Sequence, residues 1–262
     1  MKLKWIFVSI LSLYFTIASL VSSADTVTCL GRIEPLGGVI LLAGPSGVSG
    51  AAAVIAELRV EEGDWVKQGQ ILAVLDDHAL RKAEVARQKE LVADASVRLK
   101  RLRSLSTTQS TSKAKLDEVH YEMRALQADQ AIYEARQEMS LIRAPKRAQV
   151  LEVYTQPGEK VGAMGVLELG ETDKMSVVAE VYETDISRIV VGQSATVSSA
   201  AFDAPAVGTV SYVGYKVGKL DALDIDPIAR TDARVVEVII LVEDSVPLKR
   251  LTNLQVHVEI AL

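Results

Sequence analysis

Between Asp77 and about Leu141 the chain holds neither glycine nor proline, while glycine recurs at short intervals on both sides of that stretch. Ala, Leu, Arg, Lys, Glu and Gln fill the stretch, and their summed propensity predicts helix throughout. The flanks are rich in Val, Ile and Leu and carry turns such as Glu61-Glu62-Gly63-Asp64 and Lys67-Gln68-Gly69-Gln70, which predict short strands. A chain so composed is a β-structure interrupted by a long helical insert. Ser104 to Ser112 is Ser, Thr and Gln with one Leu, residues that bond their own backbone, so the helix breaks there into two arms. The first arm carries Val85, Val92, Ala95, Leu99 and Leu102 as a stripe, and the second carries Leu116, Val119, Met123, Leu126, Gln130 and Tyr133. Steps of three and four alternate along the second stripe, the 3.5 average of a coiled-coil seam. Val92, Leu99, Leu116, Val119, Met123 and Leu126 are its centre. Packed antiparallel, arms of about 29 residues would project on the order of 40 Å.

The β-texture after the insert repeats the texture before it. Glu57, Gly63, Val66, Ile71, Leu72 and Val74 recur 95 residues later as Glu152, Gly158, Val161, Val166, Leu167 and Leu169. Two such half-motifs predict one β-sandwich with quasi-twofold symmetry, split at its midpoint by the hairpin. Beyond Lys174 the alternation lengthens, at Ser176–Val181, Ala195–Val197, Gly208–Val213, Val235–Val242 and Gln255–Ile260. With one short helical signal at Glu183–Val190, this predicts an antiparallel β-barrel with a single helix.

Several function classes are disfavoured. With 29 basic and 34 acidic residues and a net charge of -5, nucleic acid is not an expected partner. Cys29 is the single cysteine, and His78, His120 and His257 have no ligand spacing, so neither metal nor cofactor is expected. Gly44-Pro45-Ser46-Gly47-Val48-Ser49-Gly50 is followed by Ala51-Ala52 rather than the Lys and Ser or Thr of a phosphate loop. Asp221, Asp224 and Asp226 lack the Gly and distal Glu of a calcium loop. No nucleophile comes with a recognisable base, so no catalytic residue is assigned and an enzyme is not expected. Lys2 and Lys4, the apolar run Trp5–Val21 of 17 residues, and Ser22-Ser23-Ala24 form an export segment. Its length is at the short edge for a bilayer core of roughly 30 Å, so a cleaved signal peptide and an N-terminal membrane anchor both stay open. Thr26-Val27-Thr28 before Cys29 do not suit lipoprotein processing.

The half-motif Val60–Asp76, the segment Ala179-Glu180-Val181-Tyr182-Glu183-Thr184-Asp185-Ile186 and Gly192-Gln193 resemble the HlyD-type membrane fusion proteins, or periplasmic adaptors. Gly31-Arg32-Ile33-Glu34-Pro35 and Asp226–Val238 are similar to the DevB-type ABC exporter branch. The resemblance implies a mainly β fold with an α-helical hairpin. A lipoyl-like β-sandwich is split by an antiparallel coiled-coil hairpin and followed by an antiparallel β-barrel. The boundaries are then 1–24 for the export segment, 25–76 and 141–173 for the lipoyl-like halves, 77–140 for the hairpin and 174–262 for the barrel. Gly63, Gly69 and Gly158 are its lipoyl-like turns. The family's tip pattern is met by Arg101, Leu102, Leu105 and Ser112, which the resemblance implies dock on an outer-membrane channel of the TolC type. It further implies an inner-membrane ABC permease and ATPase as partners, a ring of copies of this chain, taken as a hexamer, and a periplasmic location in a Gram-negative-type bacterium. The hairpin is short for the family. Glu171-Thr172-Asp173-Lys174 looks like the acceptor turn of a lipoyl or biotinyl carrier, but Lys174 follows the second half instead of joining the two. A periplasmic coiled-coil scaffold without a transport role is the alternative.

Overall fold

A computed structural model describes residues 25–44, 53–106, 113–219 and 234–262. The export segment 1–24, the glycine-rich run from Pro45 to Gly50, Ser112 of the tip pattern, and the Asp221, Asp224 and Asp226 turn lie outside these residues, as does most of the Asp226–Val238 motif. In chain order the elements are β1 (Thr26–Pro35), β2 (Val39–Leu42), β3 (Ile55–Leu58), β4 (Trp65–Val66), β5 (Ile71–Leu75), α1 (His78–Ser106), α2 (Lys113–Glu138), β6 (Leu141–Arg143), β7 (Ala148–Val153), β8 (Leu167–Gly170), β9 (Met175–Tyr182), β10 (Ser194–Ser198), β11 (Ala206–Lys219), β12 (Arg234–Val242) and β13 (Gln255–Ala261). They form two compact units, one of Met1–Leu36 with Asp173–Leu262 and one of Gly37–Thr172.

The first unit is a closed barrel in the order β1-β13-β10-β11-β12-β9. Alternation explains it: Val27, Cys29 and Ile33 of β1 and Val256, Val258 and Ile260 of β13 point into one apolar core. Here the structure departs from the boundaries read in the sequence. Residues 26–35, grouped with the lipoyl-like half 25–76, belong to the barrel, pairing with β13 from Thr26↔Ala261 to Arg32↔Gln255 and with β9 from Leu30↔Glu180 to Pro35↔Met175. Five strands after Lys174 would leave two open edges, and β1 closes them. The approach is tight at Gly31, where a Cβ would lie 2.9 Å from both Val177 Cγ1 and the Val178 carbonyl oxygen. The helix expected at Glu183–Val190 is a single 3-10 turn, Ile186–Arg188, with a second such turn at Val246–Leu248. Eight residues are too few to offset helix nucleation, and the backbone is already extended at Ile189. Strand β11 runs to Lys219, well past the expected Val213, with register shifts between Val210 and Tyr212 and between Val213 and Val217.

The second unit holds a sandwich and the hairpin. Its sheets are β2-β8-β7-β4 and β3-β5-β6. An isolated bridge between Val54 and Lys160 extends the second sheet as the Trp65↔Gln149 pair extends the first. Leu72, Ala73, Ala148, Val166, Leu167 and Leu169 are fully buried between them. Burying such side chains stabilises by about 1.5–3 kcal/mol for each of the larger ones.

Candidate docking hairpin

The hairpin leaves the sandwich from β5 and returns to it at β6, strands that pair with each other from Ile71↔Arg143 to Val74↔Leu141. Adjacent strand ends thus set the spacing at which α1 and α2 start. The base is tied at several points: the Leu75 amide donates to the Ser140 carbonyl at 3.0 Å and the Asp76 amide to the Val54 carbonyl at 3.0 Å. The Ser140 hydroxyl donates to the Gln137 carbonyl at 2.6 Å and lies 2.7 Å from His78 Nδ1. With the hydroxyl proton committed to Gln137, His78 Nδ1 is assigned as the donor in that contact. Arg143 pairs with Glu138, and hydrogen bonding from the guanidinium holds the Glu138 carboxyl below its usual range.

Along α1 Val85, Gln88, Val92, Ala95, Leu99 and Leu102 are buried or half-buried, and along α2 so are Leu116, Val119, Met123, Leu126, Gln130 and Tyr133. Both sets alternate three and four residues, so one narrow seam faces the partner helix and the rest is wet. Leu99, Ala95, Val85 and Val119 are buried, and Val92, Leu116, Met123 and Leu126 are half-buried. Gln88 is a seam member that a search for apolar residues misses: it is buried, and its Nε2 donates to the Leu126 carbonyl at 3.0 Å. Lys89 with Glu134 at 3.3 Å and Arg98 with Glu122 at 3.0 Å bridge the arms, running up one helix and down the other. Exposed pairs of this kind add little stability, being screened by solvent, and serve mainly to set register. Hydrogen bonds from Gln130 and then Lys89 hold the Glu134 carboxyl below its usual range.

At the far end of α1 the seam runs out. Arg101 is exposed, Leu102 is half-buried, and Leu105 stands 44% exposed. The Ser104 hydroxyl donates to the Arg101 carbonyl at 2.8 Å, turning a polar side chain back onto the helix end. An exposed leucine beside an exposed guanidinium at a helix end offers an apolar knob and five donors to another surface. Ser112, the fourth residue of the tip pattern, lies outside the described residues.

The turns of the sandwich are built on left-handed backbone, with φ of +91° at Gly63, +78° at Gly69 and +89° at Gly158, where only glycine sits without strain. Elsewhere, among the described residues no three His, Cys, Asp or Glu side chains gather as a metal would need. No helix among them is long and apolar enough to cross a membrane.

No family profile matches the chain. Among curated proteins it is similar to the cation efflux system protein CzcB of Alcaligenes sp. strain CT14, 30% identical over 188 residues that cover 64% of this chain and 35% of that protein. It is likewise similar to the cobalt-zinc-cadmium resistance protein CzcB of Cupriavidus metallidurans, 28% identical over 186 residues with the same coverage. The matches thus span about a third of those relatives' length. Among solved structures, a MacA-MexA chimera bearing the Pseudomonas aeruginosa MexA α-hairpin aligns with a TM-score of 0.74 at 18% identity, covering 91% of this chain and 79% of that one. The membrane fusion protein Spr0693 of Streptococcus pneumoniae R6 aligns with a TM-score of 0.63 at 17% identity, covering 89% and 98%. The chain has the fold of a HlyD-type membrane fusion protein. In this membrane fusion fold Lys174 immediately precedes β9 of the barrel, its carbonyl accepting the Leu36 amide at 2.8 Å, so it does not occupy the turn between sandwich halves that a carrier lysine requires. That turn is where the membrane fusion hairpin grows.

Proposed function

We propose that the chain is the periplasmic adaptor of an export pump, held at or secreted across the inner membrane, with the hairpin tip as its channel-docking site. Copies of the chain form a ring, a hexamer, so that neighbouring hairpins build a tube. An ABC-type permease and ATPase supply the energy on the inner-membrane side, and an outer-membrane channel of the TolC type receives the tip. One observation carries the reading: a sandwich of this size extends a solvated two-helix rod whose seam ends in exposed Leu105 and Arg101. A rod of about 40 Å with an apolar end is costly unless its end meets something. The efflux names of the curated relatives favour a pump over a bare scaffold. The DevB-like residues Gly31-Arg32-Ile33-Glu34-Pro35 favour the ABC class of transporter over other pump types.

The test is a double variant, Arg101→Asp with Leu105→Asp, in cells carrying a photocrosslinker in α1. Loss of both export and the channel crosslink at unchanged protein level is the expected result. Unimpaired export and crosslinking would remove the tip from the docking site. A pull-down that recovers neither a permease nor a channel would point to the scaffold instead.

A further inference from the structure

Every strand of the barrel has one terminus at the same end. Because neighbours are antiparallel all round, β1, β10 and β12 begin there and β9, β11 and β13 finish there. That end exposes several apolar side chains beside the ion pairs Arg188–Asp25 and Arg234–Glu183. Val190 and Val191 are 61% and 59% exposed, and Tyr215 is 96% exposed. Tyr215 packs edge-on against Tyr212, with ring centroids 5.9 Å apart. Lys216 and Lys219, on the same stretch of β11, are exposed and form no ion pair among the described residues. Amphipathic aromatic rings with free lysines beside them are the side-chain chemistry of a membrane interface, where ring, hydroxyl and ammonium each find a suitable depth. At the opposite end Asp203, Glu243 and Asp244 line a hollow, whereas the carboxylates of the first end, Asp25, Asp185 and Glu183, are paired with Arg188 and Arg234.

Chain length points the same way. The Leu262 amide donates to the Asp25 carbonyl at 3.0 Å and Arg188 pairs with the Asp25 carboxylate, which pins residue 25 at the apolar end. Between Asp25 and the apolar run ending at Val21 stand only Ser22, Ser23 and Ala24. Four peptide steps span at most about 14 Å. With residues 5–21 in a bilayer, this end of the barrel is therefore within headgroup distance.

We propose that this end of the barrel rests directly on the lipid surface, with Tyr212, Tyr215, Val190 and Val191 in the headgroup region and Lys216 and Lys219 on lipid phosphates. The inference requires the export segment to be retained, and it stands apart from the pump reading, since no transporter enters it. The test uses the full chain reconstituted in nanodiscs of phosphatidylethanolamine and phosphatidylglycerol. Tyr215→Cys, Lys219→Cys or, at the opposite end, Ala204→Cys carries an environment-sensitive fluorophore, while buried Cys29 stays unlabelled. The expected result is a blue-shifted emission at positions 215 and 219 that is lost when a headgroup nitroxide lipid is added, with no change at 204. Water-like, unquenched emission at 215 and 219 in discs that carry the chain would overturn the proposal and leave this surface to a protein partner. A chain that does not stay with the discs would overturn it too, by showing that the segment is not an anchor.

Discussion

Gly63 and Gly158 occupy one and the same place in the two halves of the sandwich. The Gly63 amide donates to the Val150 carbonyl at 2.8 Å, and the Gly158 amide donates to the Ile55 carbonyl at 2.7 Å. Ile55 and Val150 are themselves related by the 95-residue offset. Their own amides complete the exchange, Val150 donating to Asp64 and Ile55 to Glu159. Each half therefore closes the turn of the other, and neither turn can form alone. No atom lies within 4 Å of a Cβ built at either glycine, so substitution by alanine would strain only the backbone. Gly63→Ala and Gly158→Ala are expected to lose about 1 kcal/mol each, and nearly the same amount, in urea unfolding.

Arg32 reaches three strands with three different nitrogens. Nε binds Glu34 at 2.6 Å, Nη1 binds Glu180 at 3.2 Å and Nη2 binds Glu237 at 3.2 Å. An ammonium cannot reproduce that fork. Arg32→Lys is thus expected to destabilise the barrel by about 1–3 kcal/mol, close to the loss in Arg32→Ala. Thermal unfolding of both variants checks it, and full stability in the lysine variant would deny the fork its role.

Gln88 is the polar residue of the seam. Leu fits a heptad position and leaves the Leu126 carbonyl within its own helix, so Gln88→Leu is expected to unfold at the same temperature or higher. Gln88→Ala removes both the hydrogen bond and the volume and should cost about 1–2 kcal/mol. Calorimetry separates the two outcomes.

Cys29 reports on the barrel. Burial, and secondarily the Glu180 carboxylate, push its thiol from an ordinary 9.0 up to about 12. The unfolded chain ionises first, so this contribution to stability is complete below pH 9 and disappears as pH rises from 9 toward 12. Being the single cysteine, it should react with iodoacetamide at pH 8 only as fast as the barrel opens. Fast labelling of native protein would contradict its burial.

The parts of the fold set by local pattern were legible in the residues. The absence of Gly and Pro from Asp77 to Leu141 marks the hairpin, and the repeated Gly63 and Gly158 positions mark the sandwich. The parts set by long-range closure were not. Strand β1 adjoins the sandwich in sequence, and only the need to cover both edges of the barrel assigns it to β9 and β13. Gln88 is not legible because apolar periodicity passes over a polar residue, whereas a buried amide can hold a heptad position by bonding a carbonyl of the facing helix. The Glu183–Val190 helix failed because hydrophobic spacing cannot signal that a segment is too short to nucleate. Of the tip pattern, Arg101, Leu102 and Leu105 fall on α1.

The hairpin joins the sandwich at its base, around the paired ends of β5 and β6, while its seam repeats every seven residues. Removing or adding seven residues in both arms keeps the phase of the seam and leaves the sandwich untouched. Each such step changes the reach by about 10 Å. The protein therefore carries a ruler graduated in heptads, and a lineage can refit it to a wider or narrower gap without redesigning the body that holds it.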